Sequence, residues 1–293
     1  MFKSGFVSII GRPNVGKSTL LNTILGNHIS ITSPISQTTR NMIKGIYTSD
    51  DAQIVFLDTP GIHKPKNSLG EYMNRQSLAS LDDADLVVWI VDVNEDFGKG
   101  DLYIASLLKD IDKKIILVFN KTDVSNDLNK LNENEKCFKE ALSYASVLEI
   151  SALKNTGIDK LLDIIKDNLP IGPMYYDKDT ITDVIERFVI KEIIREKIFL
   201  LTKDEVPHSI AVDVDDMKVS NNSAHILSTI FVDRESLKKI IIGAKGQMIK
   251  QIGYDARCDI EKLLSKKVYL ELWVKVEKDW RNKKNSLSRL GYK

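Results

Sequence analysis

Cysteine is nearly missing from this chain: only Cys137 and Cys258 occur in 293 residues, far apart and in no Cys-x-x-Cys pair. That excludes a disulfide framework and suits a reducing cytoplasm. Histidine is almost as scarce, and His28, His63, His208 and His225 show no metal-ligand spacing. No apolar run approaches the ~18 residues of a membrane span. The apolar stretch 6–10 is too short for a signal-peptide core and runs straight into a glycine loop, so it reads as a first strand. A surplus of charge is also missing, but a net charge of +1 leaves room for a basic face balanced by acids elsewhere. No internal repeat or low-complexity segment occurs, and the polar stretch from Asn126 to Glu135 is short.

What is present is the balance of an ordinary globular protein, 43% hydrophobic and 28% charged. The length suits two domains, each large enough to bury a core. In the first half, strand-like runs at 6–10, 53–57, 85–91, 114–120 and 147–150, with a weaker one at 42–47, alternate with helical segments at 17–25, 69–81, 102–109, 133–142 and 158–168. Near-continuous apolar strands such as 86–91 are buried on both faces, as in a parallel sheet covered by helices. The expected fold is α/β, doubly wound. The alternation stops at Leu169-Pro170-Ile171-Gly172-Pro173, a linker signal. Beyond it a helix at 181–200, strands at 209–219 and 224–232, two helices around Gly243–Gly246 and a strand at 268–276 give the order α-β-β-α-α-β. The expected domains are 1–172, a linker at 173–180, and 181–293.

Gly11-Arg12-Pro13-Asn14-Val15-Gly16-Lys17-Ser18, followed by Thr19, matches GxxxxGK[ST] between a strand and a helix. Glycines let such a loop wrap with its N–H groups toward phosphate oxygens, and the helix adds its positive dipole end. Lys17 is placed to neutralise the β and γ phosphates and Ser18 to offer its hydroxyl to Mg²⁺. Asp58-Thr59-Pro60-Gly61, about 40 residues on, reads DxxG: Asp58 for Mg²⁺, the Gly61 N–H for the γ phosphate. Asn120-Lys121-Thr122-Asp123 reads NKxD. A buried Asp123 carboxylate can accept from guanine N1–H and the exocyclic amine, a donor pair adenine lacks, and sites that demand such bonds discriminate by ~10⁴–10⁵. Asn120 is placed to brace the base loop, Lys121 to pack along the nucleotide, and Ser151-Ala152-Leu153 to offer a backbone N–H to guanine O6. DxxG and Ser-Ala-Leu are weak alone; four motifs in order on alternating strand ends specify GTP over ATP. Between the first helix and second strand, Gln37-Thr38-Thr39-Arg40 occupies a switch position, where one threonine, Thr39 in preference to Thr38, completes the Mg²⁺ shell. Loss of the γ phosphate would release it together with residues 62–67.

GRPNVGKST, QTTRN, DTPGIHKPK, NKTD and EISALKNTG resemble the Era family of bacterial GTPases, and the resemblance spans the whole chain. Ile62 stands where Ras-like GTPases carry the water-orienting glutamine, as in Era-like proteins. Related GTPases with the same P-loop asparagine imply K⁺ at Asn14 in place of an arginine finger; the alternative is that Asn14 stabilises the loop. Lys17, Thr39, Gly61 and Asn14 are the catalytic candidates. In the second half Gly243-Ala244-Lys245-Gly246 is a GxxG, which within its α-β-β-α-α-β order resembles the RNA-binding loop of a type II KH domain. The spacing Ile249, Ile252, Ala256, Ile260, Leu263 reads as a core stripe, while Lys250, Arg257, Lys266 and Lys267 lie off it as ordinary solvated charges. The tail's Lys278, Arg281, Lys283, Lys284, Arg289 and Lys293 against Asp279 read as polyanion affinity, and Trp280 as packed on the domain.

The resemblance implies a slow GTPase switch that binds the single-stranded 3′ end of small-subunit (16S) ribosomal RNA and assists 30S assembly. It further implies a monomer in the cytoplasm with peripheral membrane association. Two rivals remain: a GTPase assisting tRNA modification, which calls for a further catalytic domain, and an RNA adaptor whose nucleotide site is only structural.

Overall fold

The computed structural model describes residues 1–32, 35, 38–124 and 128–292, with backbone alone at 128–131; Gln37, Asn126 and Lys293 fall outside these. They form two compact units: Met1–Ser30, Thr39–Pro65 and Met73–Asp183 in the first, Ile31–Thr38, Lys66–Tyr72 and the rest of the chain from Val184 in the second.

The first unit runs β1 (Lys3–Ile10), α1 (Lys17–Leu25), β2 (Ile43–Thr48), β3 (Ala52–Asp58), α2 (Ser68–Asp83) from Met73 onward, β4 (Leu86–Asp92), α3 (Lys99–Leu108), β5 (Lys114–Asn120), α4 (Leu128–Ala141), β6 (Ser146–Glu149) and α5 (Ile158–Asn168). Its six-stranded sheet has the order β2-β3-β1-β4-β5-β6. β4 shows why both faces are covered. Its Val88 and Ile90 join Leu20 and Leu21 of α1 and Leu161 and Ile165 of α5 in one apolar cluster. Its Val87, Trp89 and Val91 join Ile104 and Leu108 of α3 and Phe138 of α4 in another. Burying each such side chain contributes ~1.5–3 kcal/mol, and Trp89 meets Phe138 edge-on with centroids 5.0 Å apart.

One strand departs from the parallel expectation: β2 pairs antiparallel with β3, Ile43 opposite Asp58 and Thr48 opposite Gln53. The connection is the tight turn after Thr48, where the Ser49 hydroxyl donates to Asp51 Oδ1 at 2.6 Å. A parallel return needs a crossover of a dozen or more residues, so so short a turn permits only a hairpin. The stretch expected as a linker is tied to this unit. The Gln53 side-chain oxygen accepts from the Tyr175 and Tyr176 N–H groups at 2.7 and 3.0 Å, and its amide donates to the Tyr176 carbonyl at 2.9 Å.

The second unit contains α6 (Glu186–Leu201), β7 (Ile210–Val219), β8 (Ser223–Val232), α7 (Glu235–Ile242), α8 (Gln247–Leu264), β9 (Lys267–Val276) and α9 (Lys284–Arg289). β7 and β8 are antiparallel, β8 and β9 parallel. Ile190, Ile194 and Ile198 of α6, Ile241 of α7 and Ile252, Ala256 and Ile260 of α8 pack on Ile226, Ile230, Val268 and Val274 of the sheet. Leu263, expected on this stripe, is 43% exposed; it sits in the last turn of α8, where the helix is about to end at Leu264. Within this unit α6 also binds the segment Ile31–Thr38: Glu196 accepts from the Thr32 N–H at 3.2 Å and Arg195 donates to the Thr38 carbonyl.

Candidate nucleotide-binding site

All four motifs of the first unit lie at the C-terminal ends of its strands, the edge where open α/β sheets take ligands. After β1 the chain turns through 11–16 into α1, so the first N–H groups of that helix face the loop it encloses. The Lys17 ammonium folds back over this loop and donates to the Gly11 and Arg12 carbonyls at 3.2 and 2.8 Å. Burial pulls its pKa down to about 8, partly offset by Asp58.

Asp58 closes β3 and is fully buried. One carboxylate oxygen, Oδ2, accepts from Ser18 Oγ at 2.9 Å and Ser30 Oγ at 2.8 Å. The other, Oδ1, has no hydrogen-bond partner among the described residues. The Ser18 hydroxyl also lies 2.8 Å from Thr39 Oγ1. Three hard oxygens therefore converge beside an orphaned carboxylate oxygen, the donor set Mg²⁺ takes when it keeps several waters. Thr39 reaches this cluster; Thr38 turns its hydroxyl to the Ile35 carbonyl at 3.0 Å. Burial raises the Asp58 pKa, opposed by the Ser30 bond, Lys17 and Ser18; a divalent cation is what compensates a carboxylate so placed.

Gly61 is fixed by close approach, since a Cβ there would lie 2.7 Å from the backbone of Pro13. The Ile62 N–H donates to the Gly11 carbonyl at 3.1 Å, and its side chain is buried in the cluster around Trp89. Ile62 therefore has no part in orienting water. Thr59 is likewise structural, its hydroxyl donating to the Ile9 carbonyl at 2.8 Å.

The base end hangs on Asn120. Its amide donates to the Val15 carbonyl at 2.8 Å and its carbonyl accepts from the Ala152 N–H at 2.9 Å. Ser151 Oγ donates to Asp123 Oδ1 at 2.6 Å, aiming the carboxylate. Asp123 is exposed, which corrects the expectation of a buried carboxylate; it sits in a short 3-10 turn, Thr122–Val124. Discrimination then requires the base itself to cover it. Lys121 pairs with Asp92 at 2.7 Å, and Arg12 with Glu95 and Asp101 at 2.8 and 3.1 Å. Of the three motif cations, Arg12 and Lys121 are thus engaged with carboxylates and Lys17 with backbone carbonyls, so Arg12 can serve phosphate through its backbone alone. Asn14 has φ 66°, a left-handed conformation that asparagine tolerates.

Sequence reasoning missed Ser30 and Asn22. Asn22 Oδ1 accepts from the Ile29 and Ser30 N–H groups at 3.1 and 3.0 Å, setting Ser30 against Asp58. No motif contains either residue; only the fold brings Ser30 to a carboxylate 28 positions away.

In the second unit Gly243 and Gly246 have φ 71° and 77°, and a Cβ on Gly246 would meet nothing within 4 Å. Ala244 and Lys245 between them are exposed, and α8 starts at the next residue. The tail's cations are less available than their number suggests: Arg281 pairs with Asp233 at 2.7 Å and Arg289 with Glu277. Trp280 is buried and donates to the Ser209 carbonyl at 3.0 Å.

Fold and site together define a P-loop GTPase domain followed by a small α+β module with a bare glycine loop. The family model described as 50S ribosome-binding GTPase matches residues 6–121, and that described as KH domain matches residues 205–281. GTPase Era of Halothermothrix orenii is 50% identical over 295 residues, covering 100% of this chain and 99% of its own. A crystal structure of Era with MgGDPNP and nucleotides 1506–1542 of 16S ribosomal RNA matches with TM-score 0.95 at 41% identity, over 100% of this chain and 99% of that one. A point variant of Aquifex aeolicus Era bound to GDP·AlF4⁻ matches with TM-score 0.94 at 42% identity, over 99% of each. This chain belongs to the Era family of GTPases.

Proposed function

We propose that this chain is a GTP-driven switch that binds the 3′ region of 16S ribosomal RNA and assists assembly of the small ribosomal subunit. The observation that carries it is the orphaned Oδ1 of buried Asp58 beside the Ser18 and Thr39 hydroxyls, in a chain whose other unit presents a bare GxxG loop. The relative solved with a 16S fragment supports the choice of RNA.

In the proposed mechanism residues 11–19 wrap the triphosphate, Lys17 holds its proton against the β and γ oxygens, and the Gly61 N–H meets the γ phosphate. Ser18, Thr39 and Asp58 would hold Mg²⁺, which supplies charge neutralisation at the transferred phosphoryl group. Asn120, Asp123 and Ala152 select guanine. With Ile62 buried, the glutamine's position offers no water-orienting group, so intrinsic turnover is slow; K⁺ held by Asn14 is the proposed accelerator, and equal rates in K⁺ and Na⁺ would remove it. Thr39 follows directly on a segment that α6 holds at Thr32 and Thr38. This continuity supports coupling of nucleotide state to the second unit, of ~1–3 kcal/mol. Gly243–Gly246 take the RNA backbone, with Lys245 adding charge at the tip.

The finer proposals, a cytoplasmic monomer with peripheral association at the inner membrane face, rest on the family resemblance. No helix among the described residues is long and apolar enough to cross a membrane. Crosslinking in cells followed by sequencing of bound RNA, comparing wild type with Lys17→Ala, tests the reading: reads at the 3′ end of 16S RNA support it, and reads concentrated on tRNA overturn it. Multiple-turnover phosphate release separates it from a passive adaptor.

A further inference from the structure

The three-stranded sheet has two unlike faces. Its β8–β9 register sets His225 beside Tyr269, Leu227 beside Glu271, Thr229 beside Trp273 and Phe231 beside Lys275. The alternate residues, Ile226, Ile230, Val268 and Val274, are the ones that face the helices. α9 covers one end of the outer face, with the Arg289 guanidinium 4.9 Å from the Phe231 ring centroid. The other end is open: Tyr269 is 51% and Trp273 54% exposed. His225 stacks on Tyr269 with centroids 4.5 Å apart and planes 15° from parallel. The Lys267 ammonium lies 5.9 Å from the Tyr269 centroid. Glu271 accepts from Trp273 Nε1 at 2.8 Å, which fixes the indole. A cavity of about 670 Å³ at this end is lined by Lys218, His225, Arg257, Lys267, Tyr269 and Glu271, among others.

Of the nearby acids two are neutralised by lysines, while Asp215 and Glu271 are held by the neutral Thr229 hydroxyl and Trp273 indole. Asp216 pairs with Lys218 at 3.5 Å, Asp213 pairs with Lys191, and Asp215 accepts from Thr229 at 2.7 Å. Lys267 and Lys275 make no ion pair among the described residues. Exposed aromatic rings beside ammonium groups that make no ion pair fit a ligand that is flat and apolar at one end and anionic at the other, which describes an unpaired nucleotide. An apolar peptide would leave the lysines unmatched.

We propose that this open face is a second surface for single-stranded RNA: Tyr269 and Trp273 stack bases, and Lys267 and Lys275 take the phosphates. It rests on the RNA-binding reading of this unit and extends it, since a GxxG loop clamps only about four nucleotides.

Trp273 is its own reporter, because the other two tryptophans, Trp89 and Trp280, are 0% exposed. The full chain is titrated with an unstructured RNA of about 20 nucleotides, longer than the loop alone can hold. The expected result is quenching of tryptophan emission that Trp273→Phe abolishes, and about tenfold weaker binding by the Tyr269→Ala/Trp273→Ala pair. Quenching should persist in Gly246→Asp at higher RNA concentration. RNA binding by wild type without quenching, or wild-type affinity in the double variant, overturns the proposal and leaves the GxxG reading standing. Absence of RNA binding by the wild type overturns both.

Discussion

The two glycine loops of this chain are built in opposite ways. Around the first, Lys17, Asp58 and Asn120 are buried and held by Gly11, Arg12, Ser18, Ser30, Val15 and Ala152. Around the second, Ala244 and Lys245 are exposed and a Cβ at Gly246 would touch nothing. A site that changes a bond must hold charges where water cannot screen them, so each charge needs partners. A site that clamps a polymer needs only backbone that the polymer can approach. The first should fail when a group is removed, the second when one is added.

The sharpest way to break this contrast is Lys17→Ala, which should lower GTP hydrolysis by about 100-fold or more. RNA affinity measured without nucleotide should stay within about twofold of wild type. Next comes the reverse test: Gly246→Asp adds bulk and negative charge at φ 77°. Filter binding should show at least about tenfold weaker RNA affinity, with GTP affinity from calorimetry unchanged. Smaller, and specific to the fold-made part of the first site, is Ser30→Ala. It removes one of two hydroxyl bonds to Asp58, costing about 1 kcal/mol, or roughly fivefold in Mg²⁺-dependent GTP affinity; binding measured in EDTA should not move. The smallest effect belongs to Arg289→Ala, whose charge is already neutralised by Glu277. RNA affinity should change by less than about twofold, and a tenfold loss would show that the tail binds RNA directly.

Legibility followed the same division. Lys17, Ser18, Asp58, Asn120 and Asp123 stand in motifs with fixed spacing, and the fold brings those motifs to one edge of the sheet. The alternation of apolar strands and amphipathic helices gave the doubly wound class, because strands like β4 are buried on both faces. The antiparallel β2 was not read, although the short Ser49–Asp51 turn carried the information in its length. Ser30 lay outside reading because its role depends on Asn22 and on a partner 28 positions away. Charge counting overestimated the tail, since sequence shows the arginines but not the Asp233 and Glu277 that oppose them.

The single amide of Asn120 fastens the loop at 11–16 to the loop at 151–153. Two binding halves suspended from one side chain come apart as one cooperative piece. Protons on the backbone nitrogens of residues 15–17 and 151–153 should therefore exchange with heavy water in step. Weakening that amide should lengthen neither GTP nor GDP occupancy, but shorten both by the same factor.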